Sequence, residues 1–168
     1  MRPYQFIHLS ILCFCLVGHN ANATQIPKTF TPAVTIFKDN NMGDIEIIGK
    51  RDYVSSYDTK SQTFKPLHID FEVKSRSGDN VNYSLTLPVS QHYCINSTGE
   101  SEALNGLSFT LDGQPFAPKD SDEAGHDGQT FTGSDDQHHL EVRYPTLPQT
   151  GNNQQCYGTL GLSAEMVL

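Results

Sequence analysis

The sequence predicts an all-β domain, an immunoglobulin-like sandwich, and three observations carry that expectation. Nowhere do apolar residues recur at i, i+3, i+4 and i+7, the spacing of an amphipathic helix. Several short stretches instead alternate apolar and polar residues, which puts every second side chain on one face of a strand. Clusters of Gly, Pro, Asn, Asp and Ser separate these stretches. Seven or so strands of that kind in about 145 residues fit two packed sheets.

Residues 1–23 are expected to lie outside that domain. Arg2 is followed by the apolar run Phe6 to Val17 and then by Ala21-Asn22-Ala23. That order of charge, hydrophobic stretch and small-residue cleavage site marks a secretory signal peptide. Cleavage between Ala23 and Thr24 leaves 145 of the 168 residues, enough for one domain with its own core. No later run approaches the length of a membrane-spanning helix. The expected product is an exported chain with an N-terminal extension, 24–38, and a compact domain, 39–168.

Within the extension, Phe30, Val34 and Ile36 alternate on one side, with Pro32 in register. Asp44 to Ile48 is a second strand whose Ile45 and Ile47 share a face, and Tyr53 to Tyr57 is a weaker third. Leu67, Ile69, Phe71 and Val73 alternate with polar residues, and so do Val81, Tyr83, Leu85, Leu87 and Val89. Ser75 to Asn80 supplies turn residues between them, so the two runs are expected to pair as an antiparallel hairpin. Pro88 falls on the outward set near the expected end of its strand, where a missing N–H is tolerated. Leu107 to Leu111 runs into Asp112-Gly113, a tight-turn dipeptide. Pro118 to Asp136, with six carboxylates and three glycines, shows no period and reads as a long polar loop. Leu140, Val142 and Tyr144 align on a further strand, and Leu147 to Gln155 is a Pro/Gly/Asn loop. In the final stretch, Cys156 to Leu168, the residues Leu160, Leu162, Ala164, Met166 and Leu168 share one face.

Charge and cysteine content narrow the function. Without Arg2 the chain holds 10 basic and 19 acidic residues, a net charge of −9. Binding to a phosphate backbone is excluded, because nothing offsets the repulsion; no nucleic-acid partner is expected. Cys94 and Cys156 are the two cysteines that outlast the signal peptide. An even count in an exported chain reads as a disulfide, here with a single possible pairing.

Catalytic and metal motifs are weak. No serine lies in a G-x-S-x-G elbow, and both remaining cysteines are assigned to the disulfide, so no catalytic residues and no enzyme activity are expected. An EF-hand register from Asp120 places Gly125 correctly but puts Ala124 and Phe131 where acidic or polar ligands are needed. His138 and His139 are adjacent, so on a strand they face opposite sides and cannot share one ion. His126 lies nearby, but isolated surface histidines account for the pattern, and no metal or cofactor is expected.

The two ends of the exported chain belong together. Leaving Leu160, Leu162, Met166 and Leu168 half exposed on a final strand with a free edge would forfeit on the order of 5–10 kcal/mol of burial, comparable to a domain's whole stability. An alternating strand must cover that edge. It can come from a neighbouring molecule, as in donor-strand complementation, or from the same chain, where 30–36 would pair beside the last strand.

With its A-x-A signal, alternating N-terminal extension, Thr/Ser/Asn-rich β composition, one disulfide and alternating C-terminal strand, the chain resembles the pilin subunits of chaperone–usher fimbriae of Gram-negative bacteria. The resemblance implies an immunoglobulin-like domain that lacks its last strand and is completed by a donor strand. It implies Phe30, Val34 and Ile36 as donor residues and Leu160, Leu162, Ala164, Met166 and Leu168 as the acceptor groove. The partners would be other fimbrial subunits, a periplasmic chaperone and an outer-membrane usher, with a host receptor for an adhesive subunit; the location would be the cell surface. The reading from a different class is a freestanding secreted β-sandwich binding module that uses the acidic loop 118–136.

Overall fold

The computed structural model describes residues 45–96, 98–148 and 155–167, together with the backbone of 29–36. The expected signal peptide with its cleavage point at Ala23 and Thr24, residues 24–28, 37 and 38 of the extension, and Leu168 lie outside the described residues. The all-β expectation holds: among the described residues there are twelve strands and no helix. They are β1 (Thr29–Ile36), β2 (Ile45–Gly49), β3 (Ser55–Asp58), β4 (Thr63–Phe64), β5 (Leu67–Ser75) and β6 (Val81–Ile95). There follow β7 (Ser101–Ala103), β8 (Ser108–Leu111), β9 (Gln114–Phe116), β10 (Gln129–Gly133), β11 (Asp135–Arg143) and β12 (Gln155–Met166).

One sheet runs in the order β10-β6-β12-β1-β3-β4, with β7 also on β6; the other runs β2-β5-β11-β8-β9. Pairings between these strands are antiparallel apart from β1 with β12. Alternation sends one face of each long strand inward. Leu67, Ile69, Phe71 and Val73 of β5 join Leu140 and Val142 of β11 and Phe109 and Leu111 of β8 in a single cluster with Tyr83, Leu85 and Leu87 of β6 and Leu160 and Leu162 of β12. The extra strands beyond the expected seven are mostly short, two residues in β4 and three in β7 and β9. Asp112 and Gly113 turn β8 into β9 with φ of 51° and 79°, the double left-handed geometry of a two-residue hairpin.

The expected hairpin of 67–73 with 81–89 does not form. β5 pairs with β2 and β11, whereas β6 pairs with β10, β12 and β7. The two runs lie in different sheets, and 76–80 crosses between the sheets. Each run buries one face, and packing across a core meets that need as fully as lying side by side. β11 then takes eight consecutive residues of β5 as partners, Leu67 to Lys74.

Pro88 is also placed differently. β12 runs against β6 from Gln155↔Ile95 to Met166↔Tyr83, but the register slips between Gly161↔Val89 and Ser163↔Thr86. Leu87 and Pro88 together stand against Leu162, a bulge on β6. Pro88 therefore lies inside a 15-residue strand rather than near its end. The residue that cannot donate a hydrogen bond sits where the ladder is interrupted. Below the slip Tyr83, Leu85 and Leu87 are buried; above it the buried residues are His92 and Cys94. Val89, expected to share a face with Leu87, is only half-buried.

The stretch from Pro118 to Asp136 is not a single loop. Gln129–Gly133 forms β10 on β6, and β11 already begins at Asp135. The preceding residues are tied down: the Ala117 N–H donates to the Gly125 carbonyl at 3.3 Å and the Lys119 N–H to the Leu87 carbonyl at 3.0 Å.

A polar cluster joins the two sheets, running from buried Tyr83 and His138 out to the exposed Asp112. Tyr83 of β6 donates its hydroxyl hydrogen to Asp136 Oδ2 at 2.6 Å. Its oxygen lies 2.7 Å from His138 Nε2, and His138 Nδ1 lies 2.7 Å from Asp112 Oδ2. An ionised carboxylate only accepts, so His138 Nδ1 donates to Asp112. Phe131 and Phe71 pack on the imidazole, with centroids 4.5 and 5.4 Å away. Burial, with the hydrogen bond to Asp136 and its charge, pushes the Tyr83 hydroxyl well above the usual tyrosine range, so it stays a donor.

Tyr83→Phe keeps the ring and removes the hydroxyl on which His138 and Asp136 converge. The expected loss is about 1–3 kcal/mol, read from urea unfolding. A loss within the roughly 0.5 kcal/mol of a neutral surface change would show that the cluster does not stabilise the fold.

Candidate functional site

The candidate site is the inner face and outer edge of β12, built residue by residue from Cys156. Cys156 stands directly opposite Cys94 of β6, and the two form the expected disulfide, with Cα atoms 4.0 Å apart. Directly opposed residues of antiparallel neighbours share a face, and both cysteines are buried on the core side. The crosslink spans 62 residues of sequence and contributes roughly 4 kcal/mol in the chain-entropy model. It fixes the start of β12 to the upper half of β6.

The next inward pair is Gly158 and His92. A Cβ at position 158 would fall 2.1 Å from His92 Nδ1, so only glycine leaves room for the imidazole across the strand. Ser90 Oγ lies 3.2 Å from His92 Nε2. Burial pushes the His92 pKa down to about 4, which keeps the ring neutral at neutral pH. Beside it opens a cavity of about 150 Å³ lined by Ser90, Leu104, Asn105, Phe109 and Glu123 among others. Sequence reasoning did not single out His92. Its even position runs against the odd-numbered apolar set of β6, and the slip at Leu87–Pro88 is what turns it inward. Pro88 inside an alternating run was the available signal.

Further along, Leu160 and Leu162 are fully buried, while Ala164 and Met166 are half-buried and packed against the core. These four of the five expected acceptor residues lie on one face of β12; Leu168 is outside the described residues. The outer edge of β12 is met by β1 in parallel register: Phe30↔Cys156, Val34↔Leu160 and Ile36↔Leu162. The backbone thus brings the expected donor positions to the expected acceptor strand, and within this single chain it does so by folding back. The other edge of β1 pairs with β3 at Thr29↔Ser56 and Phe30↔Ser55. β1 ends opposite Leu162, so Ser163 to Met166 pair with β6 alone among the named strands of the described residues. Among the described residues, a group of three side chains placed to hold a metal, His68, His139 and Glu141, lies on the second sheet rather than at this edge.

No protein-family model matches the chain. No curated protein matches it either. Among solved structures it is similar to the CooA pilin subunit from enterotoxigenic Escherichia coli, at 10% sequence identity and a TM-score of 0.36, covering 81% of this chain and 97% of that one. A likeness of that size does not assign a family.

The close approach of His92 to Gly158 is open to mutation. Gly158→Ala is expected to cost about 1–3 kcal/mol by forcing the imidazole aside, and adding His92→Ala to return part of that loss. Denaturant unfolding of the two single variants and the double measures the coupling, and strictly additive losses would place the strain elsewhere.

Acidification tests the same histidine. In the unfolded chain it binds a proton near pH 6.5, in the folded chain only near pH 4. Between those values the unfolded state holds more protons, so stability falls as the pH drops through the window and levels off below it. The share of His92 is about 3 kcal/mol. His92→Gln is expected to flatten this part of the stability–pH curve relative to the wild-type chain; an unchanged slope would assign the acid sensitivity to other groups.

Proposed function

We propose that the chain is a non-catalytic structural or adhesive subunit of a surface fibre, assembled by exchange of β1 between copies. The observation that carries this reading is the pairing at the β12 edge. The strand that closes it, Thr29–Ile36, comes from the opposite end of the sequence, and it engages seven consecutive residues of β12 by backbone register. The same strand of a second copy presents the same backbone and the same residues, so an exchanged pairing repeats the contacts at little cost. Phe30, Val34 and Ile36 are the donor positions. Leu160, Leu162, Ala164 and Met166 form the acceptor face, and the Cys94–Cys156 bond holds the acceptor strand in register while the donor changes. Other copies or related subunits, a periplasmic chaperone and an outer-membrane usher are the partners this reading calls for, with export to the cell surface.

The fold-back of β1 in the single chain favours a second reading, a freestanding secreted binding module complete in itself. Assembly separates the two. The exported chain, concentrated and analysed by size-exclusion chromatography and by gels run without boiling, is expected to form multimers. Deleting 24–38 is expected to abolish them, and a synthetic peptide of those residues to bind the deleted chain one to one. A wild-type chain that stays monomeric at high concentration, and after unfolding and refolding, would sink strand exchange and leave the freestanding module.

A further inference from the structure

We propose that the outer face of the second sheet carries a binding site for a zinc-class divalent metal ion, formed by His68, His139 and Glu141. β5 and β11 are antiparallel neighbours with His139 opposite Asp70 and Glu141 opposite His68. The alternation that sends Ile69 and Leu140 into the core sends these four outward as one patch. Within it, His68 Nδ1 lies 3.1 Å from His139 Nε2 and 3.8 Å from Glu141 Oε2. One ligand atom from each of the three residues falls within 4.8 Å of the other two.

The donors are oriented for coordination. His139 Nδ1 lies 2.6 Å from Asp70 Oδ1. A carboxylate accepts, so Nδ1 carries the hydrogen and Nε2 turns a bare lone pair toward His68. A carboxylate behind a histidine is the usual support of a ligating imidazole, fixing its tautomer and raising its basicity. The His68 and His139 rings lie with centroids 5.1 Å apart and planes 25° from parallel. An ion about 2.0–2.1 Å from both nitrogens would see them at an angle of roughly 100°, within reach of tetrahedral geometry. Glu141 closes the site by turning its side chain, whose other oxygen, Oε1, accepts from Arg143 Nε.

Two imidazoles with one carboxylate suit zinc and its neighbours rather than magnesium or calcium, which want oxygen ligands throughout. Three protein ligands on an exposed face leave the remaining position to water. Adjacent histidines cannot share an ion on a strand, so His139 had no partner in the local sequence. The fold supplies one from 71 residues away.

The test uses the exported chain without a histidine tag, stripped with a chelator and titrated with zinc chloride by calorimetry. One site per chain is expected. His68→Ala and His139→Ala should each weaken binding at least 100-fold. Asp70→Asn, which keeps all three ligands, should weaken it about 10–100-fold, and His126→Ala on the far loop should leave it unchanged. Circular dichroism checks that each variant is folded. In the wild-type chain, ring resonances of His68 and His139 should shift on adding zinc while those of His138 and His92 stay put, a readout that needs no variant. The proposal is overturned by no binding at millimolar zinc, by binding that survives the His68→Ala/His139→Ala double variant, or by ring shifts confined to other histidines.

Discussion

The pairing of β6 with β12 is the constraint on which the rest of this fold depends. It is the longest ladder among the described residues, crosslinked near one end by Cys94–Cys156 and slipped by one residue at Leu87–Pro88. The slip lets a single 15-residue strand turn two different parities inward. Tyr83, Leu85 and Leu87 serve the core below it, and His92 and Cys94 serve it above. Without the slip the parity that buries Leu87 would point Cys94 outward, and the disulfide could not stand on the core side of β12. The bulge, the proline, the glycine opposite His92 and the disulfide are thus parts of one arrangement, each depending on the others' register.

Much of the fold was legible because alternation is a local signal. The strands at Leu67–Lys74, at His139 onward and at Cys156 onward follow from period two alone, and the disulfide follows from a count of two. Strand partners were not legible. The hairpin expected of 67–73 and 81–89 is a choice between two ways of burying the same faces, and the outcome rests on β11 and β2, which lie far off in sequence. β10 escaped notice because Thr130, Phe131 and Thr132 sit among carboxylates that mask a short alternation. These two misses concern non-local contacts and a strand of five residues.

The site divides in the same way. Leu160 and Leu162 were readable as inward-facing, and the register of β1 beside them matches positions singled out from sequence. His92 was not, because its facing reverses at a bulge. The polar cluster of Tyr83, Asp112, Asp136 and His138 was invisible for a further reason: its members come from three separate strands and turns. Tyr83 of one sheet and His138 and Asp136 of the other meet in it, so it ties the sheets at a fixed offset. Sliding either sheet by one residue would break at least one of its bonds.

β1 has two neighbours, and that fact reaches beyond the edge of β12. With β1 withdrawn, the sheet would part into two pieces and expose a rail on β12 and another on β3. The β3–β4 side would not drift away. The Tyr57 hydroxyl donates to the Leu147 carbonyl at 2.6 Å, and the Leu147 N–H donates to the Gln62 carbonyl at 2.7 Å. The Thr63 hydroxyl donates to the Pro145 carbonyl at 2.8 Å, and the Phe64 ring meets Tyr144 edge-on at 5.6 Å. The two rails are unequal: β12 offers seven residues to an entering strand and β3 only Ser55 and Ser56, so a strand that takes the place of β1 meets two backbones at its first residues and β12 alone beyond them.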